Sequence, residues 1–275
     1  MNSRGLALVI CVILSSTACS GLFYYPDRSL HALPKDQGLT AKEHSFQSKD
    51  GTKLVGWWFP AEKPLGTVVQ FHGNGENMSS HFLGLAWLVP EHFNLFVFDY
   101  RGYGKSEGEP SQKGTVEDGT AALELAWQLH KETKAERFIV VGQSLGGAIL
   151  LRSIQEFSQV DKVDRVVLDS TFYSYHEVAR RTLASSWVTW LFQPLAYVLV
   201  SNKYSGEAYL KNHKAPILVM HDKRDPGVAF KCGQSVFDEA SETKTFWTFD
   251  DGRHIGSLTS DRPENRKQFI NYIAK

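Results

Sequence analysis

The sequence predicts an α/β fold in which helices cover both faces of a mostly parallel central sheet. Five short apolar segments lack the polar alternation of half-exposed strands, so they suit strands that are buried on both faces. Helical patterns lie between several of them, as in right-handed strand–helix–strand units. The five segments are TVVQFH, NLFVFD, RFIVVG, VDRVVLD and PILVMH.

The first residues have the layout of a secretory signal peptide. Arg4 supplies a positive charge, and residues 5–14 form an apolar run that is followed by small residues. About ten apolar residues are too few to span a hydrocarbon core about 30 Å thick, so we expect cleavage rather than a transmembrane helix. Residues 1–18 are therefore predicted to be a signal peptide, and ordinary cleavage near Ala18 would leave Cys19 as a free thiol.

Residues 19–41 are predicted to be a tether, and residues 42–275 a single domain. Two prolines and the lack of a clear period in the tether indicate an extended arm. The domain then begins with the segments HSFQS and TKLVGWWFP, which flank an Asp50-Gly51 turn. This pattern predicts an antiparallel N-terminal hairpin.

Helical patterns fill most of the connections between the apolar segments. In the second of them, apolar residues cluster on one side and charges on the other. The three patterns are MSSHFLGLAWLVPEH, TVEDGTAALELAWQLHKE and LGGAILLRSIQEF.

One segment, at about residues 170–214, interrupts the alternation of strand and helix patterns. It contains an almost wholly apolar stretch, SSWVTWLFQPLAYVLVS, that is interrupted by Pro194. An all-apolar helical stretch is often simply buried, so a buried helical hairpin is one interpretation. The other is a small helical lid whose side chains line an acyl-binding pocket or touch lipid.

A strand–turn–helix motif marks the candidate nucleophile. Ser144 stands at the centre of a Gly-x-Ser-x-Gly pattern that follows RFIVVG and opens the helical pattern LGGAILL. A tight turn of this kind exposes the serine hydroxyl above the sheet. The pattern alone also arises by chance, but the strand before it, the helix after it and the additional Gly147 favour the functional interpretation.

A serine hydroxyl is a poor nucleophile at neutral pH, so a base must take its proton and an acid must orient that base. For a nucleophile on such a turn, the chain order is serine, then an acid, then histidine. Asp225 follows PILVMH, and His254 follows the strand pattern KTFWTFD on a glycine-flanked loop. We therefore predict Asp225 as the orienting acid and His254 as the general base, at the same sheet edge as Ser144.

Neighbouring residues offer alternatives. Asp225 lies in an Asp-Pro-Gly sequence and would also suit a plain turn, and Asp222 is a rival acid three positions earlier. His221 and His213 are rival bases, but both precede Asp225 and so break the chain order.

The loop after TVVQFH is the candidate source of an oxyanion donor. Glycines at 73 and 75 let the backbone turn sharply and aim N–H groups inward. We predict that the Asn74 N–H, with Gly75 as the alternative, and the Leu145 N–H form an oxyanion hole. For His72 we expect a loop-bracing role rather than proton transfer.

The segments FHGNGEN, FDYRGYGKSEG, GQSLGG, HDKRDP and GRH occur in an order and spacing that resembles the α/β hydrolases. Within them, the chain is most similar to the branch grouped with serine aminopeptidases and monoacylglycerol-type lipases, from about Thr67 onward. The resemblance implies a triad of Ser144, Asp225 and His254. It also implies an oxyanion hole from Asn74 and Leu145. His-Asp stands where this family usually has His-Gly before the acid, which keeps Asp222 an alternative.

The leader resembles that of bacterial lipoproteins, in which a cysteine after small residues becomes the lipidated N-terminus. The resemblance implies lipidation at Cys19, although Ser16 stands where leucine is usual. Ser20 follows the cysteine, and the resemblance implies that a residue other than aspartate there favours sorting to the outer membrane. The protein would then face the periplasm. We therefore expect attachment to a membrane through an N-terminal lipid anchor.

Several partner classes are excluded. Thirty basic residues balance thirty acidic ones, which gives no electrostatic footprint for nucleic acid. The Gly-Lys-Ser at 104–106 lacks the first glycine of a phosphate-binding loop, because Asp99 stands at that position. We expect Asp99 and Arg101 to brace turns instead.

No residue spacing typical of a catalytic metal site occurs in the sequence, and no cofactor is implied. Apart from Cys19, only Cys232 lies beyond the leader, so an internal disulfide would need Cys19.

These observations predict a serine hydrolase that cleaves an ester or thioester bond of a small or acyl-chain substrate through an acyl-enzyme on Ser144. An amide hydrolase similar to an aminopeptidase is one alternative, and it would need a carboxylate near the pocket to hold the substrate amine. A catalytically silent, envelope-anchored binding protein is the other. An intact triad argues against the latter.

Overall fold

A computed structural model of the chain describes residues 23–184 and 187–275. Eight strands form one sheet in the order β1-β2-β4-β3-β5-β6-β7-β8. The strands are β1 (Lys42–Gln47), β2 (Lys53–Phe59), β3 (Gly66–Phe71), β4 (Phe93–Asp99), β5 (Arg137–Gln143), β6 (Arg165–Asp169), β7 (Ile217–Asp222) and β8 (Lys244–Phe249).

The directions of the strands confirm the predicted fold class. β1 pairs antiparallel with β2, and β2 pairs antiparallel with β4, whereas β3 to β8 are parallel where they pair. The predicted hairpin turn is closed by a hydrogen bond from the Gly51 N–H to the Ser48 carbonyl, 2.9 Å long. Gly51 has φ +87°, a conformation that glycine adopts without strain.

Helices cover both faces of the sheet. They are α1 (Met78–His81), α2 (Gln112–Lys131), α3 (Leu145–Ser153), α4 (Tyr175–Ala184), α5 (Leu195–Leu199), α6 (Glu207–Asn212), α7 (Phe230–Glu239) and α8 (Pro263–Ile273). Two of the three helical patterns in the sequence correspond to α2 and α3.

Alternate residues of the parallel strands enter two separate apolar clusters, one on each face of the sheet. Val69 of β3 packs in the cluster that contains Leu123 of α2, whereas Val68 packs in the cluster that contains Phe269 of α8. Because both faces of each central strand are covered, the strands need apolar residues at every position. This explains the lack of alternation in the sequence.

The prediction of one continuous helix over MSSHFLGLAWLVPEH is wrong. Only the short helix α1 forms, followed by two 3-10 turns, Phe82–Gly84 and Ala86–Leu88. The Gln70 side chain donates to the His81 carbonyl over 2.8 Å, and Phe82 stacks on Phe59 with ring centroids 5.5 Å apart. Side-chain bonding and aromatic packing therefore override the local helical pattern here.

The insertion, residues 170–214, contains α4, a 3-10 turn at Trp190–Phe192, α5 and α6. The buried-hairpin interpretation does not hold for its described residues, because several large apolar side chains between α4 and α6 are exposed to solvent. Within the described ranges, no helix combines the length and apolar content that a membrane crossing requires. The predicted signal peptide and Cys19 lie outside those ranges, so the lipid anchor and the envelope location stay predictions.

Candidate active site

Ser144 occupies the sharp turn between β5 and α3. Its backbone has φ 53° and ψ −123°, a conformation that non-glycine residues rarely adopt. The Ser144 N–H donates to the Asp169 carbonyl of the neighbouring strand over 2.9 Å, and its own carbonyl accepts from the Thr171 hydroxyl over 2.5 Å. These bonds to the adjacent strand end hold the strained residue in place.

Glycines make this turn sterically feasible. A Cβ at Gly142 would lie 2.5 Å from the Cα of Gly147, and one at Gly146 would collide with the carbonyls of Phe71 and His72. Only a residue without a side chain lets β5, α3 and the end of β3 approach this closely. The glycine pattern in the sequence is thus a requirement of packing around Ser144.

Ser144, His254 and Asp225 come together in one hydrogen-bonded chain. His254 Nε2 lies 2.9 Å from Ser144 Oγ, and His254 Nδ1 lies 2.9 Å and 2.8 Å from the two carboxylate oxygens of Asp225. When Nδ1–H donates to Asp225, Nε2 is left unprotonated and can accept the serine proton. The three residues predicted from the sequence are therefore adjacent, although 110 positions separate Ser144 from His254.

The Asp225 carboxylate is fixed by its own loop. Its Oδ1 accepts the N–H groups of Gly227 and Val228 over 2.7 Å and 2.9 Å. Burial raises the pKa of Asp225, but the bonds from His254 and from these two amides outweigh it, so the pKa lies below its ordinary value. The carboxylate therefore stays charged at neutral pH, although its side chain is fully buried.

The rival residues have other partners. Asp222 accepts the backbone N–H groups of Arg224, Asp251 and Gly252, so it fixes the loop that carries His254 without contacting the imidazole through a hydrogen bond. His221 pairs with the Val228 carbonyl, and His213 pairs with the Ala215 carbonyl. Neither histidine is bonded to the Ser144 hydroxyl.

Asp169 is a charged residue near the site that the sequence analysis missed. It ends β6, and the hydroxyls of Ser170 and Ser257 donate to its carboxylate. Burial raises the pKa of Asp169 from 3.8 to about 6, while the nearby His254 opposes this rise. Its position at the carboxyl end of a parallel strand, where such sheets place ligand-binding groups, could have identified it as a candidate from the sequence.

Asn74 and Leu145, the residues predicted to supply oxyanion donors, line the same cavity as Ser144. Leu145 begins α3, so its N–H belongs to the first turn, where N–H groups have no partner within the helix. The side-chain oxygen of Asn74 accepts the Tyr25 N–H over 2.9 Å, and the Asn74 carbonyl accepts the Tyr103 hydroxyl over 2.8 Å. Both acceptor groups of Asn74 are thus engaged, which fixes the orientation of its backbone.

Buried polar residues brace the loop after β3, which carries Asn74. The buried His72 ring bonds the Gly73 carbonyl through Nδ1 over 2.8 Å. Asp99 accepts the Met78 N–H, and Arg101 binds Asp118 through both its backbone N–H and its guanidinium. These contacts are structural, in line with the loop-bracing interpretation of the motif around Asp99.

A cavity of about 440 Å³ opens directly above Ser144. Its wall includes Asn74 and Leu145 on one side and apolar side chains of the insertion on the other. The insertion contributes Phe172, Val178, Ala179, Leu183, Phe192, Leu195, Ala196, Leu199 and Val200. In the part of the chain that the structure describes, no group of three His, Cys, Asp or Glu side chains could hold a metal ion.

The N-terminal arm also forms part of the cavity wall, which the sequence analysis missed. Phe23 and Tyr25 line the cavity, and the Tyr24 hydroxyl lies 3.2 Å from the Thr115 hydroxyl in the core. Asn77 donates to the carbonyls of Asp27 and Ser29. We call residues 23–31 the strap, because they border the cavity at Phe23 and Tyr25 and are hydrogen-bonded to the loop after β3.

Comparison with known proteins assigns the chain to a family. A model of the α/β hydrolase fold matches residues 66–192. The uncharacterized protein YfhR of Escherichia coli K12 is 33% identical over 274 residues, which cover 97% of this chain and 91% of that protein. The chain belongs to the α/β-hydrolase superfamily. This membership agrees with the resemblance of its motifs.

More distant relatives of this α/β hydrolase include named enzymes. A lysophosphatidylserine lipase of Danio rerio is 24% identical over 77% of this chain and 62% of its own length. A solved structure of an esterase from Pyrococcus furiosus superposes with a TM-score of 0.71 at 23% identity, covering 91% of this chain and 97% of that one. The superposition shows that the whole domain has the shared fold.

Proposed function

We propose that the protein is a serine hydrolase that cleaves an ester or thioester bond by acyl transfer to Ser144. The observation that carries the proposal is the hydrogen-bonded chain from Asp225 through His254 to the Ser144 hydroxyl, at the floor of an apolar cavity. A nucleophile, a base and an orienting acid within hydrogen-bonding reach are the requirement for this chemistry.

In the first step, Ser144 Oγ attacks the substrate carbonyl carbon while His254 Nε2 takes the hydroxyl proton. The imidazolium that forms is stabilised by the buried Asp225 carboxylate at Nδ1. The bond from the carbonyl carbon to the leaving oxygen or sulfur then breaks, and His254 returns the proton to the leaving group. Water attacks the acyl-enzyme by the same route and releases the acid.

Negative charge develops on the carbonyl oxygen during both attacks. We assign its stabilisation to the N–H groups of Leu145 and Asn74, since both residues border the cavity beside Ser144. The N-terminal end of α3 adds a positive dipole end at the same point. The strap supports this assignment, because the Tyr25 N–H anchors the Asn74 side chain.

The lining of the cavity favours an acyl chain over a charged peptide. None of the described residues that line it is acidic or basic, and most are apolar. A substrate with a free amino group would therefore find no carboxylate there to hold it. Burial of apolar substrate surface would instead supply binding energy of about 0.8 kcal/mol for each methylene.

A panel of p-nitrophenyl esters from butyrate to dodecanoate, with an alanine p-nitroanilide and an acyl thioester, tests the proposal. We expect kcat/KM to rise with chain length until the cavity is filled, and the anilide to be the poorest substrate. The Ser144→Ala variant should lower kcat by about 10⁴-fold or more, because the nucleophile is lost.

The Ser158→Ala variant is the matched control, since Ser158 is an exposed serine whose hydroxyl bonds Glu124 away from the site. It should keep wild-type kinetics. Equal turnover by the Ser144→Ala variant and the wild type would refute the assignment of the nucleophile. A preference for the anilide over every ester would refute the substrate class.

A further inference from the structure

The insertion exposes an unusual group of large apolar side chains. Trp187 is 89% exposed, Leu191 76% and Val198 75%, and Trp190 and Tyr197 are each 57% exposed. We call these five residues the apolar patch. Scattered single apolar residues are normal on a protein surface, but a concentration of them on consecutive short turns marks an interaction surface.

The apolar patch is continuous with the candidate active site. Phe192 and Leu195 lie between patch residues in the chain, and Leu199 directly follows Val198. All three are 38–52% exposed and line the cavity above Ser144. The rim of the cavity is therefore built from the same turns as the patch. A partner that covers the patch would also cover the cavity entrance.

The composition of the patch fits the interface of a membrane. No charged residue occurs over residues 182–202, whereas Arg180 and Lys203 stand near the two ends of this run and Arg181 is paired with Glu177. Tryptophan and tyrosine concentrate at membrane interfaces, where their rings meet both apolar chains and polar headgroups. Basic residues beside an apolar surface are attracted to anionic headgroups.

The path of the N-terminal chain points to the same surface. The strap begins at Phe23, which lines the same cavity as Phe192 and Leu195 of the insertion. In the sequence, Cys19, the predicted lipidation site, stands four positions before Phe23. Membrane attachment through the N-terminal region would therefore hold the cavity entrance near the lipid.

We propose that the apolar patch docks the protein on a phospholipid surface that contains anionic headgroups, so that an acyl ester enters the cavity from the membrane. The choice of substrate source rests on the proposed hydrolase function, whereas the docking itself does not. Binding of lipid would bury the patch residues at the depth of the headgroups and the first acyl carbons.

Fluorescence quenching tests the docking. The full chain is mixed with vesicles of phosphatidylcholine and phosphatidylglycerol that carry brominated acyl chains, which quench tryptophan in contact with them. We expect quenching of the wild type. We expect its loss in the Trp187→Phe/Trp190→Phe variant, which keeps an apolar surface and still sediments with the vesicles. Equal quenching of both bound proteins would overturn the proposal, since attachment would then not involve the patch.

Activity at the vesicle surface gives an independent readout. Leu191 does not line the cavity, so Leu191→Asp should leave turnover of soluble p-nitrophenyl butyrate unchanged. It should lower hydrolysis of a dodecanoyl ester embedded in vesicles by about ten-fold or more. Leu65→Asp is the matched control, because Leu65 is also exposed but precedes β3 at the opposite edge of the sheet.

Two outcomes contradict the docking proposal. Equal vesicle activity of the two aspartate variants is the first. The second is a dimer in sedimentation velocity that Leu191→Asp dissociates, without quenching of the wild type by brominated lipid, because a second copy would then cover the patch. Turnover of the soluble ester by the wild type reports on the hydrolase proposal separately.

Discussion

Two neighbouring aspartates of one loop have different partners, and this difference decides their roles. Asp225 binds the imidazole of His254, whereas Asp222 binds three backbone N–H groups of the surrounding loops. In the sequence, both aspartates follow the strand pattern PILVMH, and only their hydrogen bonds distinguish them. Spacing could therefore narrow the candidates for the orienting acid to two, but the choice required the loop geometry.

Substitution of each aspartate by asparagine tests this division. In Asp225→Asn, an amide facing Nδ1 favours the wrong tautomer of His254, so kcat for p-nitrophenyl butyrate should fall by about 10⁴-fold with little loss of stability. In Asp222→Asn, charge-assisted bonds to the loops are weakened, so Tm should fall by roughly 5 °C while kcat changes less than about ten-fold. The reverse pattern would make Asp222 the orienting acid.

At the scale of elements, the strands were predictable and the irregular segments were not. The five central strands β3 to β7 each carry a signal, because short runs of apolar residues at successive positions suit a strand that is covered on both faces. The arm before β1 has no such signal. Its role depends on contacts with distant residues, such as the bond from the Tyr25 N–H to Asn74.

The strap should affect the choice of substrate more than the chemistry. In Phe23→Ala/Tyr25→Ala, part of the cavity wall is lost, but the backbone N–H that holds Asn74 remains. We expect kcat/KM to fall about ten-fold for p-nitrophenyl dodecanoate and less than about three-fold for the butyrate.

Leu30→Ala provides the control for this experiment, since Leu30 lies in the strap but is 61% exposed and does not line the cavity. It should leave both kinetic constants unchanged. Equal losses for the long and short esters in the double variant would mean that the strap supports the fold rather than the acyl chain.

At the scale of the whole molecule, one sheet brings distant parts of the chain to a single edge. The loops after β5, β7 and β8 carry Ser144, Asp225 and His254, and β3 ends at the loop of Asn74. Because these strands are parallel, their carboxyl ends meet at one edge, and the sequence sufficed to predict this convergence. The exposure of the insertion could not be predicted in this way, since an apolar segment is equally suited to a core and to a lipid surface.

The central claim is that Ser144 is an activated nucleophile. The most direct measurement is peptide mapping by mass spectrometry after reaction of the full chain with a fluorophosphonate, which phosphonylates activated serine hydroxyls. We expect one adduct, on the peptide that contains Ser144, and its loss in the His254→Ala variant, which lacks the base. A folded wild-type protein that takes up no label, or takes it up on another residue, would show that Ser144 is not an activated nucleophile.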